Sequence, residues 1–112
     1  MRRLRSAFGL EAVILGDLVL LEVLQGIADE REATRAERWL RSFDNVRLLD
    51  GEAAVRTARN YRALRLQGIT VRKTVDLVIG TYCIDHGLKL LHDDRDFQPM
   101  AEHLGLRVAE YD

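Results

Sequence analysis

The sequence has one cysteine, one proline, few aromatic residues and no long hydrophobic run. A single cysteine, Cys83, excludes a disulfide framework and a multi-cysteine zinc site. Nothing around Cys83 activates a thiol, so it reads as a small buried hydrophobe. The longest apolar runs, Ala12–Leu15 and Leu18–Leu21, fall far short of the roughly 20 residues a membrane span needs. The basic opening is followed by an apolar stretch that Glu11 interrupts, with no small-residue cleavage site, so it does not resemble a secretory leader. The expectation is a soluble, cytoplasmic protein with no membrane partner. With 8 glycines and 1 proline against 47% hydrophobic and 31% charged residues, disordered, collagenous and low-complexity classes are excluded. Also missing are a phosphate loop, a Gly-rich dinucleotide fingerprint and a serine-centred elbow. The histidines His86, His92 and His103 have no zinc-motif spacing.

What is present is enough for a single domain over residues 1–112, long enough to bury roughly two-thirds of its unfolded surface. Ala12–Gly16 is a short β-prone run, and Asp17 is placed to start a helix that runs to about Gln25. Asp29–Phe43 places Ala33, Ala36, Leu40 and Phe43 at helical spacing. Val46–Leu49 reads as a strand. Glu52–Gln67 is a helix with the stripe Ala54, Ala58, Tyr61 and Leu64. Thr74–His86 is another helix, Leu88–Leu91 a strand, Phe97–Leu104 a short helix and Leu106–Ala109 a last strand. Gly26, Gly68 and Gly87 follow helices and read as caps. Short strands alternating with helices predict an α/β domain on a mostly parallel sheet, with ligands at the carboxyl ends of the strands.

The net charge of −1 hides a division. Residues 1–75 carry 14 Lys and Arg against 10 Asp and Glu, whereas residues 76–112 carry 3 against 8. No acid lies between Glu52 and Asp76, but six bases do: Arg56, Arg59, Arg62, Arg65, Arg72 and Lys73. This strip is either a solvated helix face or a phosphate-contacting surface. Arg72 and Lys73 are the better candidates for contact because they immediately precede Asp76.

Three acidic sites stand out. Glu22 lies within Leu18-Val19-Leu20-Leu21-Glu22-Val23-Leu24, a segment apolar on every other side and therefore expected to be buried. A buried carboxylate there is either paired with an arginine or serves as a metal ligand or general base. Asp76 shares a helix face with Ile79, Gly80 and Cys83, where Gly80 lets another element approach. Its alternative role is to meet the positive end of the helix dipole. The third site is His92-Asp93-Asp94-Arg95-Asp96-Phe97, directly after a strand. It is either a solvated turn or a set of acids that share a cation. Taken together, the three sites suit a hard divalent ion such as Mg²⁺ or Mn²⁺.

Leu20-Leu21-Glu22-Val23-Leu24-Gln25-Gly26, Thr70-Val71-Arg72-Lys73-Thr74-Val75-Asp76-Leu77-Val78-Ile79 and Leu90-Leu91-His92-Asp93-Asp94-Arg95-Asp96-Phe97 together resemble the PIN-domain ribonucleases. The nearest group is the VapC-type toxins of bacterial toxin–antitoxin pairs. The resemblance implies a Mg²⁺- or Mn²⁺-dependent endoribonuclease with an RNA substrate and a cytoplasmic antitoxin partner, in a family that is often dimeric. By motif position it implies that Glu22, Asp76 and Asp94 are metal ligands and catalytic acids, with Asp96 as the additional acid. Arg72 and Lys73 would lie on the RNA.

One departure accompanies the match. Family members open with a strand that carries an Asp followed by Ser or Thr, and then a helix. Here Met1-Arg2-Arg3-Leu4 looks like the far end of that helix, and no Asp precedes Glu11. The expectation is a PIN-like domain without its N-terminal strand, which is normally central in the sheet. A start site assigned too late, a shortened chain and a degenerate toxin each fit. The rival functions are a catalytically inactive PIN-like module that binds an antitoxin or RNA, and a sheet completed by another chain.

Overall fold

The computed structural model describes residues 4–6, 9–11, 14–91 and 95–108, with side chains from residue 14 onward. Strands β1 (Leu4–Ser6) and β2 (Gly9–Glu11) pair antiparallel, with Leu4 opposite Glu11 and Ser6 opposite Gly9. This corrects the helix end expected around Leu4. Two three-residue segments this close in sequence satisfy each other's backbone groups most directly by pairing locally.

Strand β3 (Ile14–Gly16) leads without a break into helix α1 (Asp17–Gln25). Helix α2 (Glu30–Leu40) is capped by Asp29, whose carboxylate accepts hydrogen bonds from Arg31 N and Glu32 N at 2.8 and 3.2 Å. Strand β4 (Asp44–Val46) then pairs parallel with β3, placing Gly16 opposite Val46. The Leu48 side chain packs directly over Gly16, where a Cβ would overlap it. Helix α3 (Gly51–Leu66) is capped by Asp50, which accepts from Ala53 N at 2.8 Å. Helix α4 (Thr74–Asp85) and strand β5 (Lys89–Leu90) follow, then a 3₁₀ turn over Arg95–Phe97, helix α5 (Gln98–Leu104) and strand β6 (Arg107–Val108). Strand β6 pairs parallel with β5.

The domain is α/β, with its two parallel ladders joined through helical crossovers. Among the described residues, β3–β4 and β5–β6 remain separate two-stranded ladders. Helices α3 and α4 both end at a glycine of positive φ, Gly68 at 80° and Gly87 at 64°. In each case the following residue donates back into the last turn, Ile69 to Leu64 O and Leu88 to Cys83 O. Each is a Schellman ending that only a residue comfortable in the left-handed region closes without strain. Gly26 caps α1 differently, at a right-handed φ of −82°.

Helix α4 is the centre of the core. Asp76, Leu77, Val78, Ile79, Gly80, Thr81 and Cys83 are all buried, and Leu64, Phe97, Met100, Leu48 and Leu106 pack around them. Full burial of Leu64, Leu77 and Met100 stabilises the fold by about 1.5–3 kcal/mol each. Gly80 has the role expected of it: Met100 of α5 lies against it so closely that a Cβ would overlap the sulfur.

The α3 stripe comes out differently. Leu64 is buried, but Ala54, Ala58 and Tyr61 line an open groove of about 390 Å³ between α3 and α4. Sequence spacing marks which side of a helix is apolar; whether that side is covered depends on the neighbour. Among the described residues, no helix is long and apolar enough to cross a membrane.

Candidate functional site

The site centres on the first turn of α4. Asp76 sits there at 7% exposure, where the unpaired backbone N–H groups of a helix start favour an acid. Lys73 occupies the cap position and supplies no side-chain cap. The Asp76 Oδ2 oxygen is shielded from solvent and accepts no hydrogen bond, and the residue has other interactions.

Helix α1, which carries Glu22, and the Arg95–Phe97 turn, which carries Asp96, both touch α4. Glu22 is exposed, which corrects the expectation that its helix is buried. None of the α1 residues is buried, and Leu21 and Val23 are 56% and 41% exposed. Leu18 and Val19 pack against the core, while Leu21 and Val23 on the outer side of α1 stay exposed. The uniformly apolar sequence reflects a helix with a bare outer face. Asp96 is exposed beside buried Phe97, whose ring anchors the turn to the core. Asp94 lies outside the described residues, as do Asp93 and His92. Among the described residues, no group of three His, Cys, Asp or Glu side chains is placed to hold a metal ion.

The basic strip divides in two. Arg56 is held by Glu52 at 3.4 Å and Asp85 at 3.5 Å, and Arg65 donates to Thr70 Oγ1 at 2.5 Å. Arg59, Arg62, Arg72 and Lys73 are exposed and make no ion pair among the described residues. Arg62 lies on the rim of the α3–α4 groove together with Thr74. Arg72 and Lys73 immediately precede α4, within four residues of Asp76. Two of these four exposed cations, Arg72 and Lys73, thus lie at the end of α4 that carries the acid.

Two positioning roles went unnoticed in the sequence, and one expected role is corrected: Asp17 is the first residue of α1 and not its cap, a position that Gly16 takes without a side-chain cap. The Asp17 carboxylate accepts a hydrogen bond from Leu48 N at 3.1 Å and so ties α1 to the segment after β4. Asn60 Nδ2 donates to buried Thr81 Oγ1 at 2.9 Å, fixing α3 on α4. The threonine within the apolar stretch Val78–Cys83 was the available signal for the second. Cys83 is buried as expected, and burial pushes its thiol up from 9.0 to about 11. It is therefore protonated and unreactive at neutral pH.

The PIN domain family profile matches residues 1–103. The chain belongs to the PIN-domain family. Among curated relatives, this PIN domain is 31% identical over 93 residues to VapC ribonuclease Mb1587 of Mycobacterium bovis, covering 83% of this chain and 69% of that protein. It has the same identity and coverage to ribonuclease VapC11 of Mycobacterium tuberculosis. The family assignment agrees with the resemblance carried by the motifs around Glu22, Asp76 and Asp94. It also gives the α/β architecture its place among known folds.

Proposed function

We propose that this PIN domain is a metal-dependent endoribonuclease, the toxin of a toxin–antitoxin pair, which hydrolyses RNA phosphodiester bonds in the cytoplasm. The observation that carries the reading is the position of Asp76. It is a buried carboxylate in the first turn of α4, directly after the exposed pair Arg72 and Lys73, in a chain 31% identical to named VapC ribonucleases. Burial of a carboxylate is costly, and a nuclease site gives that cost a purpose.

The donor chemistry is oxygen only, which suits Mg²⁺ or Mn²⁺. In this reading Asp76 is the buried ligand, and Glu22, Asp94 and Asp96 complete the acidic set. A bound divalent ion would lower the pKa of its water and offset charge developing on the phosphoryl oxygens. The protein's own part is to hold and orient. Arg72 and Lys73 bind the RNA backbone without reading its sequence, and a carboxylate of the acidic set aligns the attacking water and takes its proton. The water oxygen bonds to phosphorus as the bond to the leaving ribose oxygen breaks. The antitoxin partner and a homodimer belong to the same reading. The exposed apolar residues Leu21, Val23 and Trp39 on α1 and α2 supply surface for protein partners.

The test is cleavage of a mixed-sequence RNA by the full chain, with Mg²⁺ or Mn²⁺ added and with chelator. Wild-type chain should cleave only with metal. The variant Asp76→Asn should lose cleavage by about a hundredfold or more while keeping its circular dichroism spectrum and melting transition. Undiminished metal-dependent cleavage by that variant overturns the assignment of Asp76. No cleavage by wild-type chain favours the inactive binding module.

A further inference from the structure

The nuclease reading leaves the groove between α3 and α4 without a role. Ala54, Ala58 and Tyr61 of α3 line one side of it, and Thr74, Leu77 and Val78 of α4 the other. Its volume of about 390 Å³ is within the roughly 300–1,000 Å³ of small-ligand pockets. Tyr61 is the one aromatic residue that lines it and is 39% exposed. Among the described residues no acid lines the groove, and Arg62 lies on its rim. Arg59 lies one turn before Arg62 on α3, while Arg72 and Lys73 fall between the lining residues Val71 and Thr74. All four cations are exposed and make no ion pair among the described residues. A purely apolar occupant would leave this rim unused, and a free phosphate would leave the walls unused. A nucleotide of an unpaired strand uses both, because its base offers flat faces to an aromatic ring and its phosphate takes a cation.

We propose that the α3–α4 groove is a nucleobase subsite for single-stranded RNA, in which Tyr61 stacks on one unpaired base and Arg62 holds the phosphate beside it. RNA as the polymer rests on the nuclease reading; the groove adds a grip away from the scissile bond. At 3.6 residues per turn, Thr74 and Val78 lie on the side of α4 opposite Asp76. The groove and the acid therefore flank the same helix start, and Arg72 and Lys73 lie in the segment that leads into it. A strand that reaches Asp76 and crosses the start of α4 meets these two cations and then the groove. Continuity with the acid and the cations selects a nucleic-acid strand over an acidic peptide as the occupant. Every base has a π-face, so Tyr61 selects for an unpaired base and not for a particular one.

The experiment measures binding of a fluorescently labelled, mixed-sequence single-stranded RNA of about eight nucleotides to the full chain, with chelator present to prevent cleavage. A second probe has the same ribose–phosphate backbone without bases. Tyr61→Ala should bind the intact RNA about tenfold more weakly than wild type and bind the baseless backbone equally well. Tyr61→Phe, which keeps the ring, should restore the preference for the intact RNA. Circular dichroism and melting of each variant verify the fold. Wild-type affinity of Tyr61→Ala for the intact RNA overturns the subsite, as does an equal loss on both probes. A shift of Tyr61→Ala from dimer to monomer in sedimentation, with RNA affinity unchanged, overturns it and assigns the groove to a second copy. Cleavage with added metal is read separately on wild-type chain. Base-dependent binding through Tyr61 without cleavage overturns the nuclease reading alone, and cleavage without that dependence overturns the subsite alone.

Discussion

The Asp17 carboxylate accepts a hydrogen bond from the backbone N–H of Leu48 at 3.1 Å, across 31 positions of sequence. One oxygen thereby fixes the start of α1 to the end of the β3–β4 ladder, beside the point where Leu48 covers Gly16. Asp17→Ala leaves a half-buried amide without its acceptor and should cost about 1–2 kcal/mol. Asp17→Asn retains an acceptor oxygen and should cost less. Urea unfolding checks both variants; a midpoint for the alanine variant equal to wild type would show that the tie carries no stability.

Met100 lies against Gly80 in the most crowded part of the core. Gly80→Ala gains about 1 kcal/mol of helix propensity but overpacks the sulfur at a cost of about 1–3 kcal/mol. The expected result is a small net loss of stability. Combining it with Met100→Ala should produce a strongly non-additive pair, because the smaller side chain makes room for the new methyl.

Arg72 and Lys73 are exposed and make no ion pair among the described residues, whereas Arg56 is engaged by Glu52 and Asp85. Replacing Arg72 and Lys73 with alanine should weaken RNA binding uniformly across sequences. It should also reduce the salt slope by about 0.7 for each cation lost on single-stranded RNA. Arg56→Ala should change the slope less. Binding measured over a salt series in the presence of chelator separates the two results.

The Cys83 thiol is pushed up from 9.0 to about 11 by burial. The folded state therefore holds this proton more tightly than the unfolded chain does. Its contribution to stability is fully present below pH 9.0 and is lost as pH rises towards about 11. Melting temperatures recorded across that window should fall, and Cys83→Ala should flatten the decline while lowering stability at every pH through the cavity it creates.

Local chemistry was legible where a residue acts on its own neighbourhood. Asp29 caps α2, Gly68 and Gly87 close Schellman endings, and the helix beginning at Thr74 lies where its pattern places it. Glu22 shows where such reading stops. Its helix is as apolar as α4, yet α4 is enclosed and α1 is half bare. Burial depends on which elements arrive from elsewhere in the chain, and nothing within residues 18–24 encodes that. The same holds for Tyr61, whose stripe faces an open groove, and for the β1–β2 pairing. Asp76 was legible in a different way. A lone acid in an apolar helix is conspicuous wherever the helix ends up, and here the helix ended up in the core.

The helix that carries the acid is also the helix on which the interior is assembled. Asp76 and the residues that follow it, Leu77, Val78 and Ile79, lie on consecutive positions of α4 and are all buried. Close-packed interiors transmit displacement instead of absorbing it. Drift in the side chains around Leu77 therefore moves the carboxylate as well. A lineage that remodels the core around α4 must therefore accommodate a buried acid at the same time.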